Sequence, residues 1–271
     1  MRFLSLLLFL TLGLFARDAT VIRYAVDLSL FGKVGEAVIT IAEKDDRYIM
    51  VVEDHATGMA AKISGHERDI FISRGHRFEG RYISDVFIER QRNDTTSEVN
   101  TFTFDHEAKK VVRHQDKNET VTESSFDFAT MGVRTVTKEK RKNKTETLDY
   151  YSEYDALSVV LNIPRLLKLA PRVGIKPVGL AKKGRRMFIS PVRMSREEIA
   201  DTFDTPGIVR VVQLDSIEND DEYGVLIGYD AADNIEEVVT KETYFLIGYG
   251  RIVKLSQQTV SAESVFEKYG R

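Results

Sequence analysis

Alternation of apolar and polar residues with a period of two is the feature that most restricts how this chain can fold. In the stretch VIRYAVDLSLFG, Ile22, Tyr24 and Val26 fall on one face of an extended chain, whereas Arg23 and Asp27 fall on the other. This pattern is typical of a β-strand with one buried face. The turn GKVG follows, and EAVITIAE and RYIMVVEDHA then continue as strands. The opening therefore predicts a meander of antiparallel strands.

The rest of the chain predicts more strands around one helical interlude. Further strands are predicted at Met59–Ile63, Asp69–Ser73, Tyr82–Arg92, Asn100–Asp105, Lys110–His114 and Val133–Lys138. The stretch YYSEYDALSVVLNIPRLLKLAP has apolar residues at helical spacing, and we expect Pro164 to interrupt or restart that helix. Ser195 and Glu198 form a capping-box pattern that predicts a second short helix, after which strands return.

This order of elements predicts a mainly β fold of the β-rich α+β class. We expect a large curved antiparallel sheet or an incomplete β-barrel, with one or two short helices. Residues 17–271 are expected to form a single β-rich domain, and a division into two sub-lobes near residues 150–190 stays open as an alternative.

The first sixteen residues have the pattern of a secretory signal peptide. Arg2 precedes an uncharged, mostly apolar stretch from Phe3 to Ala16, which is too short to span a bilayer. We expect cleavage after Ala16 and a soluble periplasmic protein; the alternative is an uncleaved membrane anchor.

Composition excludes several classes of protein. The 271 residues contain no cysteine, which removes disulfides, zinc–thiolate sites, cysteine nucleophiles and a lipid-modified cysteine. We therefore expect stability to come from the core and do not expect a lipoprotein. The formal net charge of −3, with interspersed signs, does not favour binding to nucleic acid.

Three stretches taken together carry a resemblance to a known family. They are VDLSLFGKVGEAVITI, ATGMAAKISGHERDIFISRGHRFEGRYISDVFIERQ and YYSEYDALSVVLNIPRLL, with FTFDHEAKKVVRH between the last two. In this order they resemble the bacterial exported family named domain of unknown function 3108, over roughly Tyr24 to Leu255. The resemblance implies an exported, β-rich envelope protein, and its motifs supply no catalytic residues to transfer.

The densest group of chemically capable side chains lies in ISGHERDIFISRGH, from Ile63 to His76. We expect a strand with a polar face, because His66 and His76 would lie about 33 Å apart on one strand and cannot share a metal. Neither His66 nor His106 has a second histidine four residues later, as a zincin motif requires. A metal site built from His55, His66, His76, His106 and His114 across strands is the less favoured alternative. We predict no catalytic, metal or cofactor site.

Asp155 and Ser158 invite a nucleophile interpretation, but the Gly-x-Ser-x-Gly elbow is absent. We expect Asp155 to be a helix N-cap, with Ser158 in the first helical turn. The acidic run from Asp215 to Gly224 lacks the ligand order of an EF-hand and is interpreted as a solvated hairpin loop.

Two polar stretches leave alternatives open. The basic runs Lys109–His114 and Lys138–Lys144 suit a patch for anionic lipid headgroups, although plain solvated loops are favoured. Asn118 lies in DKNET, which fits the longer acid-x-Asn-x-Thr acceptor pattern for N-glycosylation; Asn93 and Asn143 fit only the shorter pattern. An unmodified polar turn is the alternative at Asn118.

The leading functional hypothesis is a non-enzymatic binding or carrier protein for a hydrophobic or lipid-like ligand. The second hypothesis is an envelope structural or assembly factor that binds protein partners through strand edges. The third is a hydrolase with a dispersed site that uses Asp155 and nearby histidines.

Overall fold

The strands expected from the sequence belong to a single antiparallel sheet. The computed structural model describes residues 18–127, 132–179, 186–218, 221–240 and 250–270. Within these ranges the strands are β1 (Asp18–Leu28), β2 (Gly32–Lys44), β3 (Arg47–Ala56), β4 (Arg68–Phe78), β5 (Arg81–Arg92), β6 (Thr96–Asp105), β7 (Lys110–Asp127), β8 (Gly132–Thr147), β9 (Val173–Ile175), β10 (Arg186–Val192), β11 (Arg210–Glu218), β12 (Asp221–Tyr229), β13 (Ile235–Thr240) and β14 (Gly250–Ser261).

The sheet consists of two meanders, the first formed by β1–β8 and the second by β9–β14. They are joined where β1 pairs with β14. Its order is β8-β7-β6-β5-β4-β3-β2-β1-β14-β13-β12-β11-β10-β9. Antiparallel pairing of β1 with β14 places Asp18 opposite Ser261 and Leu28 opposite Gly250. Strands β8 and β9 form the two edges, so the sheet remains open.

Helices cover both faces of the sheet. Within the described ranges they are α1 (Gly58–Ser64), α2 (Ala156–Leu169), α3 (Arg196–Thr202) and α4 (Ala262–Tyr269). Helices α2 and α3 correspond to the two predicted ones, and both begin with the capping boxes expected at Asp155 and Ser195. Helices α1 and α4 were not predicted from the sequence.

Helix α2 shows that the sheet is curved. It contacts β4 and β5 of the first meander, and β9 and β10 of the second. Eight strands separate β5 from β10 in the sheet order, so one helix can touch both only if the sheet curves around it. The expected large, curved antiparallel sheet is confirmed. We call the face that contacts α2 the inner face and the other the outer face.

The two faces have separate cores. On the inner face, Val159 and Ile163 of α2 pack with Ile189 and Val212 of the second meander. On the outer face, Val265 of α4 packs in a cluster of small and branched apolar residues from β1 to β5. That cluster contains Ala19, Ala42, Ile49, Val51, Ile72 and Ile88. Burial of both faces explains why strand β3 reads as nearly continuous apolar sequence.

Two local predictions are wrong. Met59–Ile63, predicted as a strand, lies in helix α1, because the Ala60-Ala61 pair favours a helix and Gly65 ends it in the left-handed conformation, with φ of 71°. Helix α2 continues through Pro164, which was expected to interrupt it. Proline removes only one backbone donor, and the packing of Ile163 and Leu166 holds the helix together on both sides of it.

Charged stretches interpreted as loops are strands. Lys138–Lys144 lies within β8, and β7 continues well beyond the predicted His114. The acidic run begins in β11, where Asp215 is buried, and its other end is paired in β12; residues 219 and 220 lie outside the described ranges. Strand pairing with a neighbour overrides the low strand propensity of lysine and aspartate.

None of the helices in the described ranges is long and apolar enough to cross a membrane. The predicted leader and its cleavage point at Ala16 lie outside the described residues.

Candidate functional site

An open cavity of about 250 Å³ lies against the inner face of strands β5 to β7. It is lined by Phe71, Glu89, Gln91, Glu98, Asn100, Phe102, Arg113, Leu148, Tyr150 and Gly179. We call it the Glu89 cavity. One part of its lining is aromatic or aliphatic and the other polar, which is the usual composition of a small-molecule site.

The strand register explains why these side chains meet. Glu89 lies opposite Asn100, which lies opposite Gln115. In the neighbouring row, Phe102 lies between Phe87 and Arg113. Directly opposed residues of antiparallel strands point to the same face, so each row runs across the inner surface.

Glu89 is the ionisable group of the cavity lining whose pKa is shifted closest to neutral pH. Burial raises its pKa to about 7, against the opposing influence of Arg113 and of Asn100. The Asn100 Nδ2 group donates a hydrogen bond of 3.3 Å to Glu89 Oε2. Glu89 therefore changes between a neutral hydrogen-bond donor and an anion near neutral pH.

Glu98, on the next strand, behaves in the opposite way. Burial acts to raise its pKa, but hydrogen bonds from Gln115 (2.6 Å) and Asn100 (3.1 Å) outweigh burial and leave the pKa below its usual value. Arg113 donates from Nε to Asn100 Oδ1 at 3.1 Å, so the amide links the cation to both carboxylates. The polar part of the cavity thus combines one permanent anion, one cation and one acid that titrates near pH 7.

The segment after α2 covers part of the cavity. Tyr150 donates its hydroxyl hydrogen to the Pro177 carbonyl at 3.2 Å, and Lys176 lies 4.0 Å from the centre of the Tyr150 ring. A Cβ atom at Gly179 would lie 2.2 Å from the Phe87 ring and 3.0 Å from Glu89 Oε1. With φ of +98° as well, this position requires glycine.

A second cluster forms around Asp85, where a β-bulge interrupts the pairing of β4 with β5. Asp85 Oδ1 lies 2.9 Å from His76 Nδ1 and 3.2 Å from His106 Nε2. The other ring nitrogen of His106 lies 2.8 Å from the Tyr151 hydroxyl. The bulge explains the position of the carboxylate, because the extra residue on β5 is left without a strand partner and is turned toward the two rings.

The remaining histidines do not join this cluster. His66 lies near Asp94 at 3.0 Å, His114 lies near the Thr145 hydroxyl at 2.9 Å, and His55 is exposed on β3. Strand β4 begins after His66, so His66 and His76 are not on one unbroken strand as considered above. In the described residues, no group of three or more histidine, aspartate or glutamate side chains is placed to hold a metal ion.

Asp155 and Ser158 belong to a sealed polar network beneath α2. Asp155 Oδ1 accepts from the backbone N–H groups of Leu157 and Ser158, and its Oδ2 accepts from the Ser73 hydroxyl at 2.5 Å. Tyr48 and Ser84 complete the network. Asp155 and Ser158 have no exposed surface. The N-cap interpretation is confirmed, and no substrate reaches these groups in this structure.

A groove of about 350 Å³ near α1 contains an acidic pair. Asp54 and Asp69 lie opposite each other on β3 and β4. Burial raises the pKa of Asp54 to about 6, with a further contribution from Asp69. Below about pH 6, protonation of Asp54 reduces the repulsion between the two carboxylates, which is a sufficient account of the pair.

Asn118 is placed in β7, opposite Ser97 and Arg141, rather than in a turn. Its side chain is exposed. Glycosylation at Asn118 stays a prediction. Since its strand is paired on both sides, the extended acceptor segment is most accessible before the chain folds.

Comparisons with protein-family models, with curated proteins and with solved structures found no match. The resemblance to the exported family therefore stays a prediction, and the chain's own geometry has to support any proposal about function.

Proposed function

We propose that this chain is a non-enzymatic binding or carrier protein of the periplasm, which holds part of a hydrophobic or lipid-like ligand in the Glu89 cavity. The observation that carries the proposal is the mixed lining of this cavity. Phe71, Phe102 and Leu148 offer apolar contact, whereas Glu89 and Arg113 offer polar contact. Such a division suits an amphipathic molecule. The periplasmic location is supported by the predicted leader.

The size of the cavity limits what it holds. Small-molecule pockets usually measure about 300–1,000 Å³, and this one measures about 250 Å³. It is therefore suited to a ring or the end of a chain rather than to a whole lipid. The rest of the ligand would lie along the open inner face.

Two features weigh against the alternative functions. The sealed position of Asp155 and Ser158 does not favour a hydrolase that uses them. The edge strand β8 carries exposed lysines at alternate positions, and charges of this kind discourage the addition of another strand. The edge strand β9 spans only three residues.

The test is a search for bound lipid in protein purified gently from expressing cells. Organic extraction and mass spectrometry should release a lipid-like molecule from the unmodified protein. Leu148→Trp should reduce its amount at least tenfold, because the larger ring fills the cavity. Leu169→Trp is the matched control, since Leu169 is 72% exposed at the end of α2, and it should retain the ligand.

Other outcomes would replace the proposal. An extract without lipid, together with a crosslinked protein partner, would favour the envelope assembly factor. Turnover of an ester or glycan panel would favour the hydrolase.

A further inference from the structure

The free edge of the sheet carries a row of lysines on its inner face. Alternate residues of β8 share a face, and in KEKRKNK the inner ones are all lysine. They are Lys138, Lys140, Lys142 and Lys144, and all four are exposed. Lys144 lies opposite Gln115, in the row that continues through Asn100 to Glu89. These four lysines, the lysine edge, therefore lie on the same face as the Glu89 cavity.

The row from Lys144 to Glu89 also gives the distance between the lysine edge and the Glu89 cavity. Three inter-strand spacings of about 4.8 Å separate β5 from β8, so Lys144 lies about 14 Å from the backbone of Glu89 along the sheet. An amphiphile with its apolar end in the cavity would reach the lysine edge with a polar group about ten bonds away.

Two like charges face each other beside the lysine edge. Lys142 lies directly opposite Lys117 of β7. Such a pair destabilises an antiparallel sheet. Lys117 lies 3.7 Å from Glu119, whereas Lys142 has no ion pair with any residue that the structure describes. A bound anion between the two ammonium groups would turn this repulsion into attraction.

Two acids lie near these lysines, and each also contacts other groups. Glu98 accepts hydrogen bonds from Gln115 and Asn100. Glu146 forms ion pairs with Lys144 and with Arg113. Lys117 lies opposite Glu98 and 3.7 Å from Glu119, so the excess positive charge of this row lies at Lys142.

The opposite face of β8 differs. It carries Glu139, Arg141 and Asn143, and Arg141 forms an ion pair of 2.9 Å with Asp116. Protection of an edge from strand addition requires charge on the strand but does not require the lysines to share one face. The one-sided arrangement needs a different explanation.

We infer that the ligand of the Glu89 cavity is an anionic amphiphile, whose phosphate-bearing headgroup binds between Lys117 and Lys142. Lysine binds phosphate as a point charge and needs no fixed bidentate geometry, which suits two flexible side chains on an exposed edge. This inference rests on the proposed function and adds the class of headgroup.

The test is calorimetric titration of the full chain with short-chain phosphatidylglycerol and short-chain phosphatidylcholine below their micelle concentrations. The anionic lipid should bind at least tenfold more tightly than the zwitterionic lipid. Lys117→Gln combined with Lys142→Gln should remove that preference, because it weakens binding of the anionic lipid more than binding of the zwitterionic lipid. Lys62→Gln combined with Lys168→Gln is the matched control, which removes two charges elsewhere and should preserve the preference.

The outcomes separate the two proposals. If both lipids bind equally, or the double variant keeps the preference, the headgroup inference is wrong while the carrier function stands. If neither lipid binds, the carrier function is wrong as well. Binding of inorganic phosphate as tight as that of the anionic lipid would show a free-phosphate site, and binding to vesicles alone would show a membrane surface; either result would overturn the inference.

Discussion

The inner face of the sheet is packed beneath helix α2 and open beside it, over part of β5 to β7. Near β10 and β11, Val159 and Ile163 of α2 pack directly onto Ile189 and Val212. Over β5 to β7 the inward positions include Glu89, and a cavity remains. One curved sheet therefore provides both a packed and an open region, and the chemical character of its inward residues decides which is which.

Two acids, Asp155 and Glu89, express the same difference. Asp155 in the packed region accepts hydrogen bonds from a serine hydroxyl and two backbone groups. Among the residues that the structure describes, Glu89 in the open region accepts a hydrogen bond from Asn100 alone. A fully bonded carboxylate fixes structure, whereas an under-bonded one in a cavity is available to a ligand.

The largest expected effect comes from removing the acid of the packed region. Asp155→Ala should lower the free energy of unfolding by about 3 kcal/mol, because it removes a helix cap and leaves buried donors without partners. Urea unfolding checks this. Ser195→Ala, which removes the cap of the exposed helix α3, is the control and should cost about 1 kcal/mol. A loss at Asp155 no larger than at Ser195 would contradict the distinction between the two regions.

The next largest loss of stability is expected in the segment after α2, which covers part of the Glu89 cavity. Gly179→Ala should lower the free energy of unfolding by about 2 kcal/mol, since the new Cβ atom meets the Phe87 ring in a backbone conformation that suits glycine. Binding of the ligand should also weaken, because either Phe87 or the segment after α2 must move. Gly207→Ala is the control: it also has positive φ, but nothing lies within 4 Å of a Cβ atom there. Equal losses at both positions would show that only the backbone conformation matters.

The sequence predicted the packed region better than the open one. Alternation along β1 and the Asp155 cap are local patterns, and they were read correctly because they depend on neighbours in the chain. The position of Glu89 next to Asn100 and Arg113 depends on register across three strands, which composition does not reveal. The same holds for Asp85, whose contact with two histidines needs a bulge that the sequence does not mark. Lys138–Lys144 was misread because charged residues have low strand propensity.

A pH-dependent effect should distinguish the acids of the open region. Between its ordinary pKa of 4.5 and about 7, Glu89 holds a proton in the folded state that the unfolded state releases. The free energy of unfolding therefore falls as pH rises through this window. Glu89→Gln should be more stable than the unmodified protein by about 1–2 kcal/mol at pH 8 and equal to it near pH 4.5.

Glu98→Gln gives the matched comparison on the adjacent strand. The pKa of Glu98 lies below its usual value, so its ionised form stabilises the folded state, and the variant should lose stability at pH 8. Thermal unfolding over pH 4–8 checks both signs. If the two variants change stability in the same direction at pH 8, the assignment of a titrating and a permanently charged acid is wrong.

The smallest effect is expected at the bulge, on the boundary of the open region. Asp85→Asn keeps the shape of the side chain and one hydrogen-bond acceptor, and Asp85 is 47% exposed. Exposed ion pairs contribute about 0.2–1 kcal/mol, so the loss of stability should be about 0.5 kcal/mol. Ligand binding should not change, because Asp85 does not line the Glu89 cavity. A binding loss of tenfold or more, measured by the same calorimetry, would instead extend the site from the cavity to His76 and His106. The open region would then include the bulge around Asp85 as well as the Glu89 cavity.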